Sequence, residues 1–186
     1  MLSLSEEDRK AIRAAAREGV VYAVQHGRSG PAISNQGIFA QPCGLFVTLH
    51  VSGKLRGCIG MIEARDTLGE NLARCAADAA LHDPRFSPLR AQELQHLEIE
   101  ISLLTPLYPL RPEEVEIGKH GLLIERGMRR GLLLPQVATE HHLNCEEFLA
   151  ETCHKAGLPR DAWKEPDTRL YGFECEILAE MNAHRK

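Results

Sequence analysis

The sequence predicts an α+β protein with a mainly antiparallel sheet and flanking helices. Apolar and polar residues alternate in several short segments, which is typical of strands with one buried face. Short turns join most of these segments, and such turns cannot make the crossover that a parallel pair needs. Segments with helical spacing of apolar residues lie between the strands. A doubly wound parallel sheet is the alternative fold class.

The first helix is predicted over residues 6–25. Ser5 is placed as its N-cap, and Asp8 in the first turn interacts favourably with the helix dipole. The residues that recur at helical spacing and predict one packed face are Ile12, Ala15, Ala16, Gly19, Val20 and Ala23. Glycines and a proline then interrupt this pattern, which predicts a loop over 27–43.

A β-hairpin is predicted over residues 45–60, with a three-residue turn at 52–54. The expected pairs on its apolar face are Val51 with Leu55, Leu49 with Gly57 and Val47 with Ile59. A two-residue turn would place Arg56 and Cys58 among the leucines, because a shift of one residue inverts every side chain. Since burying an arginine there is costly, the three-residue turn is preferred.

The opposite face of this hairpin collects Thr48, His50, Arg56 and Cys58. In the preferred register, His50 faces Arg56. Cys58 is then diagonal to His50, at a backbone separation of roughly 7–8 Å. The hairpin therefore gathers a thiol, an imidazole and a guanidinium on one face.

The remaining chain continues the alternation of helices and strands. A helix is predicted over 68–81, with a capping box formed by Thr67 and Glu70. A strand at 97–103 has one apolar and one polar face, which suits an antiparallel sheet with one wet side. The later predicted elements are strands at 121–125 and 130–134, a helix after Pro135, a helix from its cap Asn144 to Gly157, and a last strand that buries Tyr171, Phe173, Cys175 and Ile177.

Composition and charge restrict the class of protein. With 186 residues, 44% hydrophobic and 26% charged, the chain is expected to fold as one domain over residues 1–186. A net charge of -4 argues against nucleic-acid binding, which favours a basic excess. No apolar run approaches the roughly 20 residues of a membrane span. The acidic N-terminus does not resemble a signal peptide. We therefore expect a soluble, cytoplasmic protein without a membrane partner.

The six cysteines are expected to be reduced. They show no Cys-x-x-Cys spacing, and no export signal indicates an oxidising compartment. Most are expected to act as small apolar core residues.

The segment 55–60, Leu-Arg-Gly-Cys-Ile-Gly, is the first candidate site. A guanidinium at Arg56 would lower the pKa of the Cys58 thiol and make it a nucleophile or a soft ligand. Gly57 and Gly60 would let a ligand approach the backbone closely. The structural alternative is a free cysteine on a covered sheet face, with glycines that serve the twist or a bulge.

The second candidate is Lys119 and His120 between two glycines, together with Arg130 after the predicted hairpin turn. Such a loop would bind a small anion, and His120 would act as an acid or base. The alternative is a loop with ordinary solvated charges. Five basic and four acidic residues in 111–131 exclude a basic patch.

Two further clusters are better explained by structure. In the segment 82–86, His82 and Asp83 offer an imidazole–carboxylate pair and Arg85 an anion contact, but Asp-Pro is itself a strong turn signal. The histidines and cysteines of 141–154 lack the spacing of a zinc site. No metal site is therefore predicted. No nucleotide or hydrolase motif is present, and no cofactor is identified.

The residues 44–49 and 55–60 resemble the signature of the AMMECR domain family. The resemblance continues at 83–89, 118–122, 130–138, 153–158 and Trp163, and so covers nearly the whole chain. It implies an α+β domain whose larger and smaller subdomains flank a cleft. The sequence marks no boundary between the two.

Prokaryotic members of this size resemble the A component of the AmmeMemoRadiSam system, encoded beside a Memo-like protein and a radical S-adenosylmethionine enzyme. The resemblance therefore implies these two proteins as partners in a modification pathway. It also implies that Arg56, Cys58 and His120 line one cleft. One hypothesis is a ligand- or partner-binding accessory protein. The other is a thiol-dependent enzyme with Cys58 as nucleophile and His120 or His50 as base.

Overall fold

The computed structural model describes residues 2–31 and 33–180, which form two compact units. The larger unit comprises 2–104 and 176–180, and the smaller unit comprises 105–175. Each sheet has four strands in antiparallel arrangement. The α+β class with antiparallel sheets is confirmed, and the parallel alternative is wrong.

The bounds of the helices and strands follow the chain order. The α-helices are α1 (Glu6–His26), α2 (Leu68–Leu81), α3 (Pro135–Glu140) and α4 (Cys145–Lys155). The strands are β1 (Gly44–Val51), β2 (Lys54–Met61), β3 (Leu97–Leu104), β4 (Tyr108–Pro109), β5 (Gly121–Arg126), β6 (Arg129–Leu133), β7 (Arg169–Phe173) and β8 (Cys175–Ala179). No helix in the described ranges is long and apolar enough to cross a membrane.

The core of the larger unit lies between its sheet, ordered β2-β1-β3-β8, and the two long helices. Its fully buried side chains come from alternate positions of β1 and β3 and from one face of each helix: Leu45, Val47, Leu49, Ile101, Ile12, Val20 and Leu72. Capping boxes begin both helices, at Ser5 with Asp8 and at Thr67 with Glu70. The Ser5 N-cap and the Thr67–Glu70 box were predicted, whereas the box at Ser5 and Asp8 was not. The sequence pattern therefore predicted both helices and the strands β1 and β3 of this core correctly.

The β1–β2 hairpin differs from the predicted one at its turn. Ser52 and Gly53 form a two-residue turn with φ angles of 51° and 75°, so the three-residue turn is wrong. Leu49 still pairs with Gly57, but His50 pairs with Leu55. The extra residue, Arg56, forms a β-bulge.

The bulge preserves the predicted faces of the hairpin. It absorbs the one-residue shift that the shorter turn introduces, so Val47 still pairs with Ile59 on the apolar face. Cys58 lies directly opposite Thr48 on the other face. The predicted pairs Val51–Leu55 and His50–Arg56 do not form.

The predicted last strand is two strands in different sheets. β7 pairs with β5 in the smaller unit, whereas β8 lies beside β3 in the larger sheet. The alternation changes phase between them, because Phe173 is buried and Leu178 is also buried. Ile177 is 43% exposed, so the expectation that it is buried is wrong.

In the smaller unit, α3 and α4 pack on the sheet ordered β4-β7-β5-β6. The packed face of α4 buries Phe148, Leu149 and Cys153. Cys145 is only half-buried. Asn144 caps this helix through a capping box, as the sequence predicts.

Candidate functional site

The Cys58 thiol lies on the polar face of the larger sheet. The Thr48 hydroxyl donates a hydrogen bond to its Sγ at 3.3 Å, and the residue is half-buried. The pairing of strands places Glu100 beyond Thr48 in the same row, with Glu98 beside His50 in the next row. Thiol, hydroxyl and carboxylate side chains therefore share this face.

His50 lies on the same face, diagonal to Cys58. It occupies the position two residues after Thr48 on β1 and pairs with Leu55 on β2. This diagonal relationship agrees with the predicted one, although the bulge removes Arg56 from the position opposite the imidazole.

The backbone of Cys58 is bound from the other side of β2, which is an edge strand. Its N–H donates to Asp83 Oδ2 at 2.8 Å, and its carbonyl accepts from Arg85 Nη2 at 3.2 Å. The segment 82–86, which the sequence favours as a simple helix stop, therefore holds the strand that carries the Cys58 motif. Its donors and acceptors cover a strand edge that would otherwise be unpaired.

Asp83 and Arg85 form a close ion pair at this edge. The Asp83 carboxylate accepts from Arg85 Nη2 at 2.7 Å, Nε at 2.9 Å and the backbone N–H at 3.1 Å. Its side chain is only 2% exposed. The Arg85 guanidinium, together with the N–H groups of Cys58 and Arg85, holds the Asp83 pKa well below its usual range despite burial. His82 pairs instead with Asp78, at 2.9 Å.

Arg56 holds a second segment against β2. Its Nε donates to Glu93 at 2.8 Å, and Nη1 donates to the Ser87 carbonyl at 2.7 Å. Nη2 donates to the Pro88 carbonyl and to the second Glu93 oxygen, both at 3.2 Å. Most of the donors of this guanidinium are therefore used within the larger unit.

Gly57 and Gly60 lie where side chains would collide with neighbours. A Cβ at Gly57 would lie 2.1 Å from the Ala79 carbonyl oxygen of α2. At Gly60 it would lie 2.2 Å from the Phe46 ring. These contacts support the structural interpretation of both glycines. Their role in admitting a ligand stays a prediction.

The remaining site candidates, His120 and Arg130, belong to the smaller unit. His120 is 4% exposed, and its Nδ1 accepts the Glu116 N–H at 3.1 Å, so the neutral ring carries its proton on Nε2. Lys119 pairs with the Glu116 carboxylate at 2.9 Å. Arg130 pairs with Glu125 across β5 and β6 at 2.7 Å. The charges of this loop and hairpin are thus largely matched.

The structure brings four of the five larger-unit candidates, Arg56, Gly57, Cys58 and Gly60, onto β2, with His50 on the neighbouring strand. The sequence missed Asp83 and Glu93 as the groups that fix this strand. The Asp-Pro turn at the end of α2 marked the first of them. No local signal marked Glu93, since its partner lies 37 residues earlier.

Comparison with known proteins identifies the family. The family model described as AMMECR1 matches residues 13–178, which is most of the chain. The chain belongs to the AMMECR1 family.

AMMECR1-family relatives cover most of the chain. A protein of Methanothermobacter thermautotrophicus is 47% identical over 150 residues, covering 77% of this chain and 78% of that protein. A protein of Methanopyrus kandleri is 38% identical over 187 residues, covering 95% of this chain and 90% of the relative. The crystal structure of an uncharacterized protein from Pyrococcus horikoshii has a TM-score of 0.88 and 36% identity, over 95% of this chain and 93% of that one.

The six cysteines of this AMMECR1 domain differ in environment. Cys43, Cys75 and Cys153 are buried, and the other three are half-buried. Burial raises the pKa of Cys43 to about 11 and that of Cys75 to about 12. In the described ranges, no group of three or more His, Cys, Asp or Glu side chains is arranged to hold a metal ion.

Proposed function

We propose that this AMMECR1 domain is a partner-binding accessory protein, acting in a modification pathway with a Memo-like protein and a radical S-adenosylmethionine enzyme. The proposal rests on one observation: the charged groups around Cys58 bind other parts of the larger unit. The guanidinium groups of Arg56 and Arg85 pair with carboxylates and cap carbonyls. These bonds fix β2, the strand that carries the 55–60 motif.

A nucleophilic thiol needs an adjacent cation or base to favour the thiolate. The Cys58 thiol accepts a hydrogen bond from the neutral Thr48 hydroxyl, and the Arg85 guanidinium beside it is already bound to the Asp83 carboxylate. The ion pairs of Arg56 and Arg85 instead hold the edge of β2 in one arrangement. A preorganised binding surface loses less conformational entropy when a partner docks.

The chemistry of the polar face favours a partner with hydrogen-bond donors or positive charge. Glu98 and Glu100 accompany His50 and Cys58 on this face. The Glu98 carboxylate repels an anion, so a small anionic ligand is disfavoured on this part of the larger unit. A basic or polar segment of a partner protein complements it better.

Copurification tests the proposal. The tagged protein is coexpressed with a Memo-like protein and a radical S-adenosylmethionine enzyme, and the eluate is analysed by mass spectrometry. We expect a complex that survives Cys58→Ser and is lost in Glu98→Lys, because reversal of charge opposes a basic segment. Glu165→Lys, at an exposed position of the smaller unit, is the matched control. Absence of both partners from the wild-type eluate would contradict the proposal.

The alternative function is a thiol-dependent enzyme that uses Cys58, with His50 or His120 as base. It is favoured by the partial exposure of Cys58, in contrast to the buried Cys43 and Cys75. Iodoacetamide labelling across pH distinguishes the two functions. We expect Cys58 to react no faster than glutathione at pH 7. A rate at least about tenfold faster would support the enzyme, since it would show a stabilised thiolate.

A further inference from the structure

The smaller unit has a surface cavity of about 470 Å³ between the end of β6, α3 and the last turns of α4. Its volume lies within the roughly 300–1,000 Å³ range of small-molecule sites. The apolar part of its lining is Leu133, Val137 and Leu143. These side chains are half-buried and pack on the core around Phe148, so they also present apolar surface to the cavity.

The polar part of the lining is not electrically balanced. It comprises Glu151, His154, Lys155 and His141. The Glu151 carboxylate is already compensated by Arg160 at 2.7 Å, and the His154 imidazole lies 3.7 Å from it. Lys155 is exposed and makes no ion pair with any described residue. One permanent positive charge therefore remains at the rim beside an apolar floor.

We propose that this cavity binds a small monocarboxylate with an apolar body. The Lys155 ammonium pairs with the carboxylate, and Leu133, Val137 and Leu143 contact the apolar body. A single carboxylate matches the single uncompensated lysine, whereas a phosphate dianion would leave excess negative charge near Glu151. This site belongs to the smaller unit and does not depend on the proposed partner-binding function.

The test uses 3-phenylpropionate as the probe and its neutral amide, 3-phenylpropanamide, as the matched control ligand. Backbone amide resonances of the ¹⁵N-labelled protein are followed during titration with each compound. We expect saturable shifts confined to residues 133–143 and 151–157. The carboxylate should bind about three- to fivefold more tightly than the amide, the range of a solvent-exposed ion pair.

Variants of Lys155 separate charge from shape. Lys155→Ala should weaken carboxylate binding by the same three- to fivefold and leave amide binding unchanged, whereas Lys155→Arg should retain it. Lys10→Ala, which removes an exposed lysine of α1, is the control and should change neither. The proposal is overturned by shifts located elsewhere, by equal binding of acid and amide, by an unchanged affinity in Lys155→Ala, or by no saturable binding.

Discussion

The Asp83 carboxylate accepts the backbone N–H of Cys58 at 2.8 Å across 25 residues of sequence. Arg85, bound to the same carboxylate, donates to the Cys58 carbonyl. Together these side chains satisfy one donor and one acceptor of an edge strand, as a neighbouring strand would. The position of the motif strand therefore depends on the turn that ends α2.

This pair predicts a specific loss of stability in acid. The Asp83 pKa is held below its usual value in the folded protein. Its contribution is fully present above the unfolded-state pKa, near 3.9, and is lost as the pH falls below that value towards the folded-state pKa. We expect Asp83→Asn to lower the free energy of unfolding by about 2–3 kcal/mol at pH 7. Urea denaturation from pH 7 to pH 3 measures the difference from wild type, which should shrink below about pH 4. A difference that is constant over this range would contradict the assignment.

Gly57 predicts a strong steric effect. In Gly57→Ala the new methyl group would lie 2.1 Å from the Ala79 carbonyl oxygen. Neither atom can move away by a side-chain rotation, because the methyl group is attached to the backbone and the oxygen belongs to it. We expect destabilisation of about 3 kcal/mol or more, measured by chemical denaturation. Gly19→Ala is the control, because its methyl group would lie 3.2 Å from the Ala76 Cβ and alanine favours the helix. Equal stability of the two variants would refute the close approach of β2 and α2.

The Arg56–Glu93 ion pair predicts a measurable coupling energy. Its side chains are 16% and 24% exposed, so the pair is partly shielded from water. A double-mutant cycle with alanine at each position should give about 1–2 kcal/mol. The Arg65–Glu63 pair, with side chains 80% and 36% exposed, is the control and should give less than about 0.5 kcal/mol. Coupling no larger than in the control would show that Arg56 does not hold the segment 87–93.

The buried thiols predict a graded pattern of alkylation. Burial raises the pKa values of Cys43 and Cys75 and also blocks access to them. At pH 8 we expect iodoacetamide to leave both unmodified in the native protein and to modify both in urea. Peptide mass spectrometry gives the extent at each site. Native labelling of Cys75 at the rate of the half-buried Cys58 would be inconsistent with the described core.

Local signals predicted the elements well. The predicted helix 68–81 coincides with α2, because a capping box marks its start and a proline follows shortly after its end. The paired residues Leu49 and Gly57 were also correct, since one buried face constrains the register.

The errors have physical causes that lie outside single segments. Alternation cannot distinguish a three-residue turn from a two-residue turn followed by a bulge, because both restore the same faces. The change of sheet between β7 and β8 depends on tertiary pairing, so a continuous apolar alternation predicted one strand. The hydrogen bond from Cys58 to Asp83 joins two distant segments. Neither segment contains a sequence signal that indicates its contact with the other.

The order of the strands has a consequence for how the chain is built. Leu178 enters the core of the larger unit, and Glu176 and Glu180 form ion pairs with Arg9 and Arg17 of the first helix. The smaller unit is thus an insertion, and its two ends adjoin, since the Thr105 N–H donates to the Glu174 carbonyl at 3.0 Å. During synthesis, the sheet of the larger unit is complete only after β8 has been made. A short linker in place of 105–174 would let β8 join β3 without the smaller unit between them.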